Sequence, residues 1–229
     1  MTTACLFIHG FGGSPYENEP LYTVLEECTD WELRAPILPG HDENESLENR
    51  EYMEWVSKAE KELEDLLFNY DHVYVIGYSM GGVIAAYLAT KYNVEKLVLL
   101  STSAHYIDVS QLAEDIWKMA KDAVDGDLFE NDLFQRYARR MGTTPMSASI
   151  EFQKLVDDLR PYFSKVDVPT LVLQGGQDGL LPPKSAEYIY DSIQCEDKTL
   201  HFLPQSKHML CHGPEQKDLI QACRNFLEI

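Results

Sequence analysis

A serine set among glycines, Gly77-Tyr78-Ser79-Met80-Gly81-Gly82, follows the apolar run Val73–Ile76 and opens a helical pattern from Met80 to Tyr92. At a tight strand–helix junction the serine takes a strained backbone conformation, and a Cβ at position 77 or 81 would clash. The strain lifts Oγ above the sheet, and the N-terminus of the next helix points at the reacting group. The chemistry this suits is nucleophilic attack by Ser79. A glycine-rich turn that only closes a strand–helix unit would share the motif, so the reading depends on partners elsewhere in the chain.

A hydroxyl is a weak nucleophile near neutral pH; it needs a base, and the base needs an acid to orient it. Such partners belong in loops at the C-terminal ends of later strands. Gln174-Gly-Gly-Gln-Asp178-Gly-Leu-Leu-Pro-Pro183 follows the apolar run Thr170–Leu173, and Asp178 is its only acid. A turn or helix-capping role is the alternative for Asp178. His208 lies 30 residues further on, after the candidate strand Thr199–Leu203, room enough for a helix and a strand. The order Ser79, Asp178, His208 suits a scaffold of alternating strands and helices. His208-x-x-Cys211-His212 has a spacing that could bind metal on a helix, but Gly213-Pro214 ends any helix there. His9 and His41 adjoin turn glycines, and His72, His105 and His201 flank or sit in strands, so structural roles are expected for all five.

Acyl transfer also creates an oxyanion that needs preorganised N–H donors, each worth about 3 kcal/mol of barrier. Met80, directly after the nucleophile, supplies one. The loop His9-Gly10-Phe11-Gly12-Gly13 offers the other at Phe11 N–H, which leaves the Phe11 ring free to contact substrate as a wall of the acyl pocket. Phosphate binding by this loop is not expected, because it lacks G-x-G-x-x-G and no lysine follows.

The elements that must position these residues are visible as patterns. Ala4–Ile8, Val73–Ile76, Leu97–Leu100 and Thr170–Leu173 read as strands covered on both faces, with Glu32–Ala35 and Thr199–Leu203 as weaker candidates. Helical spacing joins Tyr52 to Tyr70, Met80 to Leu88 and Leu219 to Leu227. Alternation of this kind predicts an α/β fold with a parallel sheet and right-handed crossovers. Between 103 and 165 no strand candidate occurs. Helical runs through Leu112–Ala123, Phe129–Met141 and Phe152–Leu159 predict a small helical cap inserted into a core of 1–102 and 166–229, with helices packed on the side of the sheet as the alternative.

Composition narrows the partners. The 229 residues carry 19 Lys and Arg against 38 Asp and Glu, a net charge of −19, which disfavours nucleic acid and anionic membranes. Apolar residues at 45% and charged residues at 25% describe an ordinary globular chain, able to bury roughly 70–75% of its unfolded surface without a disulfide or metal. Five scattered cysteines without a CxxC, a start lacking a basic n-region, and no window of about 18 apolar residues predict a cytoplasmic protein without stable membrane insertion.

Together these motifs resemble the α/β-hydrolase superfamily over nearly the whole chain, and within it the small carboxylesterases and monoacylglycerol lipases of bacilli. The shared features are His9-Gly-Phe-x-Gly13, Ala35-Pro-Ile-Leu-Pro-Gly-His41, the Ser79 motif, a short helical segment and a late Ser206-x-His208. The resemblance implies Ser79 as nucleophile, Asp178 as acid, His208 as base and the Phe11 and Met80 N–H groups as oxyanion donors. It also implies hydrolysis of short or medium acyl esters, or of monoacylglycerols, with no cofactor or metal. The chain starts almost at the strand ending before His9, so a sheet of about six mainly parallel strands is expected. The usual P-G-H-G is here Pro39-Gly40-His41-Asp42. Thioester or C–C hydrolysis, a lyase step of the menaquinone-pathway type, and a non-catalytic binding module remain alternatives on the same scaffold.

Overall fold

The computed structural model of the chain describes residues 1–104 and 144–229. Its strands are β1 (Thr3–Ile8), β2 (Glu32–Arg34), β3 (His72–Tyr78), β4 (Lys96–Leu100), β5 (Thr170–Gly175) and β6 (Lys198–Leu203). They form one sheet in the order β2-β1-β3-β4-β5-β6, and every neighbouring pair is parallel. The two weaker strand candidates are the two edges. Edge strands are covered less fully, so β2 and β6 retain exposed positions and lack the continuous apolar run of the inner strands.

The described helices are α1 (Glu19–Cys28), α2 (Tyr52–Asn69), α3 (Met80–Ala89), α4 (Met146–Leu159), α5 (Pro183–Ser192) and α6 (Gln216–Leu227). Successive strand side chains serve opposite faces. Leu6, Val75 and Leu99 face the core built with α2, α3, α4 and α5, while Phe7, Ile76 and Val98 face the core built with α1 and α6. The sheet is therefore covered on both sides, as the apolar strands require.

Three differences from the sequence reading have local causes. α1 is not evident from periodicity because it buries only Leu21 and Leu25. α3 stops at Ala89, short of Tyr92, where Thr90 and Lys91 N–H groups turn to the carbonyls of Tyr87 and Leu88 in the tighter i→i+3 pattern. β3 runs two residues past its apolar core, through Gly77 and Tyr78, directly into the serine.

Of the expected cap, residues 105–143 lie outside the described residues, including the runs Leu112–Ala123 and Phe129–Met141. Its last part is α4 and a 3₁₀ run, Arg160–Lys165. Phe152, Leu155, Val156 and Phe163 share one core with Trp55 of α2 and Ile84 of α3.

Candidate active site

Because all six strands run the same way, the loops after β1, β3, β5 and β6 emerge at one edge of the sheet. The order reverses between β1 and β3, the kind of point where a parallel sheet opens a crevice. Ser79 stands there, between β3 and α3, with φ 52° and ψ −114°. Its N–H donates to Leu100 O at 2.9 Å, which ties the turn to β4. A non-glycine residue at positive φ carries backbone strain of order 1–3 kcal/mol.

The flanking glycines are there for space. A Cβ on Gly77 would stand 2.6 Å from Gly82 Cα, and one on Gly81 would overlap the Ile8 carbonyl and stand 2.6 Å from His9 O. Backbone cannot yield as a side chain does. Gly81→Ala is expected to destabilise the fold by about 3 kcal/mol. In a chain of this length that lowers Tm by roughly 6–12 °C, which thermal unfolding measures; a Tm within a degree of the parent would contradict the packing described here.

Asp178 and His208 meet Ser79 from β5 and β6. Asp178 lies in the turn after β5, and its Oδ2 accepts His208 Nδ1–H at 2.8 Å. His208 Nε2 accepts the Ser79 hydroxyl at 3.2 Å. All three are buried, so the relay is shielded from bulk water. The Asp178 Oδ1 accepts the N–H groups of Leu180 and Leu181 at 2.9 and 3.0 Å. Burial alone would raise the Asp178 pKa, but the adjacent His208 charge, its hydrogen bond and the Leu181 and Leu180 N–H groups outweigh burial and hold the carboxyl below its ordinary value. An ionised acid on Nδ1 leaves Nε2 free to take a proton from the hydroxyl, the arrangement required for general-base activation of an oxygen nucleophile.

The loop after β1 is pinned peptide by peptide. Leu38 N–H donates to His9 Nε2 at 3.0 Å, so His9 carries its proton on Nδ1 and gives it to Gly10 O at 2.8 Å. Gly10 O and Phe11 N–H belong to one planar peptide, so this bond sets the direction of the Phe11 N–H. Gly12 N–H donates to His41 Nε2 at 3.0 Å, and His41 Nδ1 gives its proton to Pro39 O at 3.1 Å. Gly10 N–H donates to the buried Glu17 carboxylate at 2.6 Å. Neither the Phe11 nor the Met80 N–H is hydrogen-bonded to another described residue. Phe11's ring stacks on Phe152 of α4 at 4.8 Å and 9° and lies 5.6 Å from Trp55. At the altered Pro39-Gly40-His41-Asp42 loop, Gly40 takes φ +78° while Asp42 does not enter the left-handed region, so an aspartate there costs nothing in backbone strain.

The other histidines are placed by local contacts. His212 donates to Tyr16 O at 2.8 Å and stacks on the Tyr16 ring at 4.3 Å, and burial lowers its pKa. Cys211 beside it is buried, and burial with the nearby Glu17 charge pushes its thiol up to about 12. Among the described residues no three His, Cys, Asp or Glu side chains converge as metal ligands would. His72 meets Glu95 at 3.0 Å, and His105 lies outside the described residues. Sequence reading missed Glu17 and Gln174 and assigned no task to the structural His9 and His41. A glutamine closing the apolar run Thr170–Leu173 is visible in the sequence, but Glu17 lies in the polar segment 14–19 and nothing there marks the N–H it accepts.

Six parallel strands flanked by helices, with the Ser79 turn after β3 and Asp178 and His208 in the loops after β5 and β6, match the α/β-hydrolase fold. A family model described as "Serine aminopeptidase, S33" (Hydrolase_4) matches residues 39–215, more than half of the chain, and the chain belongs to this family. It is 23% identical over 228 residues to a thermostable monoacylglycerol lipase of Bacillus sp. (strain H-257), covering 96% of this chain and 88% of that protein. It is 24% identical over 227 residues to a carboxylesterase of Bacillus subtilis (strain 168), covering 98% and 92%. Among solved structures, one from work on the metagenome-derived lipolytic enzymes LipS and LipT superposes with a TM-score of 0.78 at 18% identity, covering 99% of this chain and 93% of that one. No described helix is long and apolar enough to cross a membrane.

Proposed function

We propose that this chain is a serine hydrolase that cleaves carboxylic esters, short or medium acyl esters or monoacylglycerols, through an acyl-enzyme on Ser79. The observation that carries the reading is the continuous relay from Ser79 Oγ to His208 (3.2 Å) to Asp178 (2.8 Å) at a strained strand–helix turn. Ser79 Oγ attacks the ester carbonyl while His208 Nε2 takes its proton. The carbonyl oxygen becomes an oxyanion facing the N–H groups of Phe11 and Met80. His208 then returns the proton to the leaving alcohol, and the same imidazole activates water to release the acid. Every step uses side chains and backbone, so the reaction needs no metal or cofactor.

The substrate class draws on two supports. The curated relatives named above are a monoacylglycerol lipase and a carboxylesterase. Behind the loop after β1 the Phe11 and Phe152 rings stack on each other and are buried in the core rather than free at a surface, so the packing around that loop is apolar, which suits a hydrocarbon chain. The division into a core and a 103–165 cap belongs to the same proposal, as does a cytoplasmic location, which the five free cysteines support.

The test is a panel of p-nitrophenyl esters of rising acyl length, with a monoacylglycerol, an acyl thioester and an aminoacyl p-nitroanilide alongside. Ester turnover with stoichiometric fluorophosphonate labelling of Ser79 is the expected result. Preference for the anilide would move the reading to the peptidase activity in the family's description. A folded protein that the fluorophosphonate leaves unlabelled would overturn the acyl-enzyme.

A further inference from the structure

Gln174 is the fully buried side chain next to last in β5. Its Nε2 donates at 2.8 Å to Asp178 Oδ2, the same oxygen that accepts His208 Nδ1–H at 2.8 Å. The amide orientation follows from chemistry, since turning it over would set two oxygens against each other. Its Oε1 has no hydrogen-bond partner among the described residues. A buried amide that leaves its own acceptor unpaired while spending its donor on a carboxylate is held there by more than its own hydrogen-bonding needs.

We propose that Gln174 is a positioning residue for the acid–base pair: it fixes the rotation of the Asp178 carboxylate and draws charge off the oxygen that faces His208. This deepens the serine-hydrolase reading and rests on it for its role in turnover. The carboxylate has four donors. Leu180 and Leu181 hold Oδ1, and Gln174 and His208 share Oδ2. With the backbone pair alone the group could still rock about its Cβ–Cγ bond; a rigid strand donor on Oδ2 removes that freedom. A hydrogen bond to an anion also disperses its charge, which weakens its pull on a protonated imidazole. The attack step needs that imidazole as an unprotonated base. Tyr78, whose ring lies 5.3 Å from that of His208, is a titratable neighbour of the pair. Gln174 is a neutral group able to tune the pair from the sheet side.

The experiment is an NMR titration of the His208 ring, assigned against His208→Gln, in the parent, in Gln174→Met and in Gln174→Glu. Loss of the donor concentrates charge on Oδ2, so the His208 midpoint rises by about 0.5–1 pH unit in Gln174→Met and stays nearer the parent in Gln174→Glu, where the buried carboxyl beside Asp178 keeps its proton and donates it to Oδ2. The acid limb of kcat/KM moves with it, about 3- to 10-fold in rate on the acid side, with a smaller change at alkaline pH. A purely structural role for Gln174 would lower Tm without moving the midpoint. A folded Gln174→Met with the parent's midpoint overturns the proposal; if that variant does not fold, an unshifted midpoint in Gln174→Leu, which also lacks the donor, does so. The titration needs no turnover, so a parent that neither cleaves esters nor takes up fluorophosphonate would defeat the esterase reading separately.

Discussion

Ser79→Ala is expected to lower ester kcat by about 10⁵- to 10⁶-fold and to abolish fluorophosphonate labelling, with Tm within about 2 °C of the parent. The size of the effect follows from the relay. Without Oγ there is no bond for the acyl group to form, and His208, whose Nε2 is set to receive the hydroxyl proton, has only water to activate. What survives is carbonyl polarisation by backbone N–H groups, which the substitution leaves in place. The fold is spared because the Ser79 N–H bond to Leu100 O and its carbonyl bonds from Gly82 and Ser103 are all backbone. A variant that keeps more than a hundredth of parental activity would show that another group attacks.

Asp178→Asn is expected to lower kcat by about 10⁴-fold through the wrong imidazole tautomer. The introduced amide keeps its oxygen toward Leu180 and Leu181, because turning it would set its NH₂ against two backbone donors at 2.9 and 3.0 Å. Its NH₂ therefore faces His208 and Gln174. Gln174 accepts only by flipping, which turns its Oε1 toward the Gly175 and Leu181 carbonyls that its NH₂ meets at 3.4 and 3.5 Å in the parent, and His208 accepts at Nδ1. The ring proton moves to Nε2, which faces Ser79 and can no longer take its proton. The stability consequence has a defined sign. The parent carboxyl titrates below its ordinary 3.8 in the folded protein, so its contribution is complete above that value and lost as pH falls through the folded-state value. Urea unfolding between about pH 3 and 6 should show the parent losing its advantage over Asp178→Asn toward the acid end. A constant difference across that range would mean that Asp178 gains nothing from ionisation.

Much of this was legible in the chain. The inner strands announce themselves because both faces are covered, so Ala4–Ile8 or Leu97–Leu100 is apolar without interruption. The edge strands are faint because exposed positions break that pattern. α1 is faint because it buries little. Gly77 and Gly81 were readable as steric requirements, and the structure supplies what they avoid, the α3 backbone and the Ile8 carbonyl.

Local order determined the α/β alternation, the serine turn and the rank Ser79, Asp178, His208 along the chain, since strands, helices and turns are written in the spacing of neighbouring residues. Only the tertiary structure decided which atoms touch: that His9 and His41 pin the loop after β1, that Glu17 holds Gly10, and that Gln174 shares an oxygen with His208. Those contacts join residues brought together by crossovers or by side-chain direction at a sheet edge. Periodicity reports which face a residue occupies, whereas a hydrogen bond depends on positions fixed to a few tenths of an ångström by the packing of the whole core.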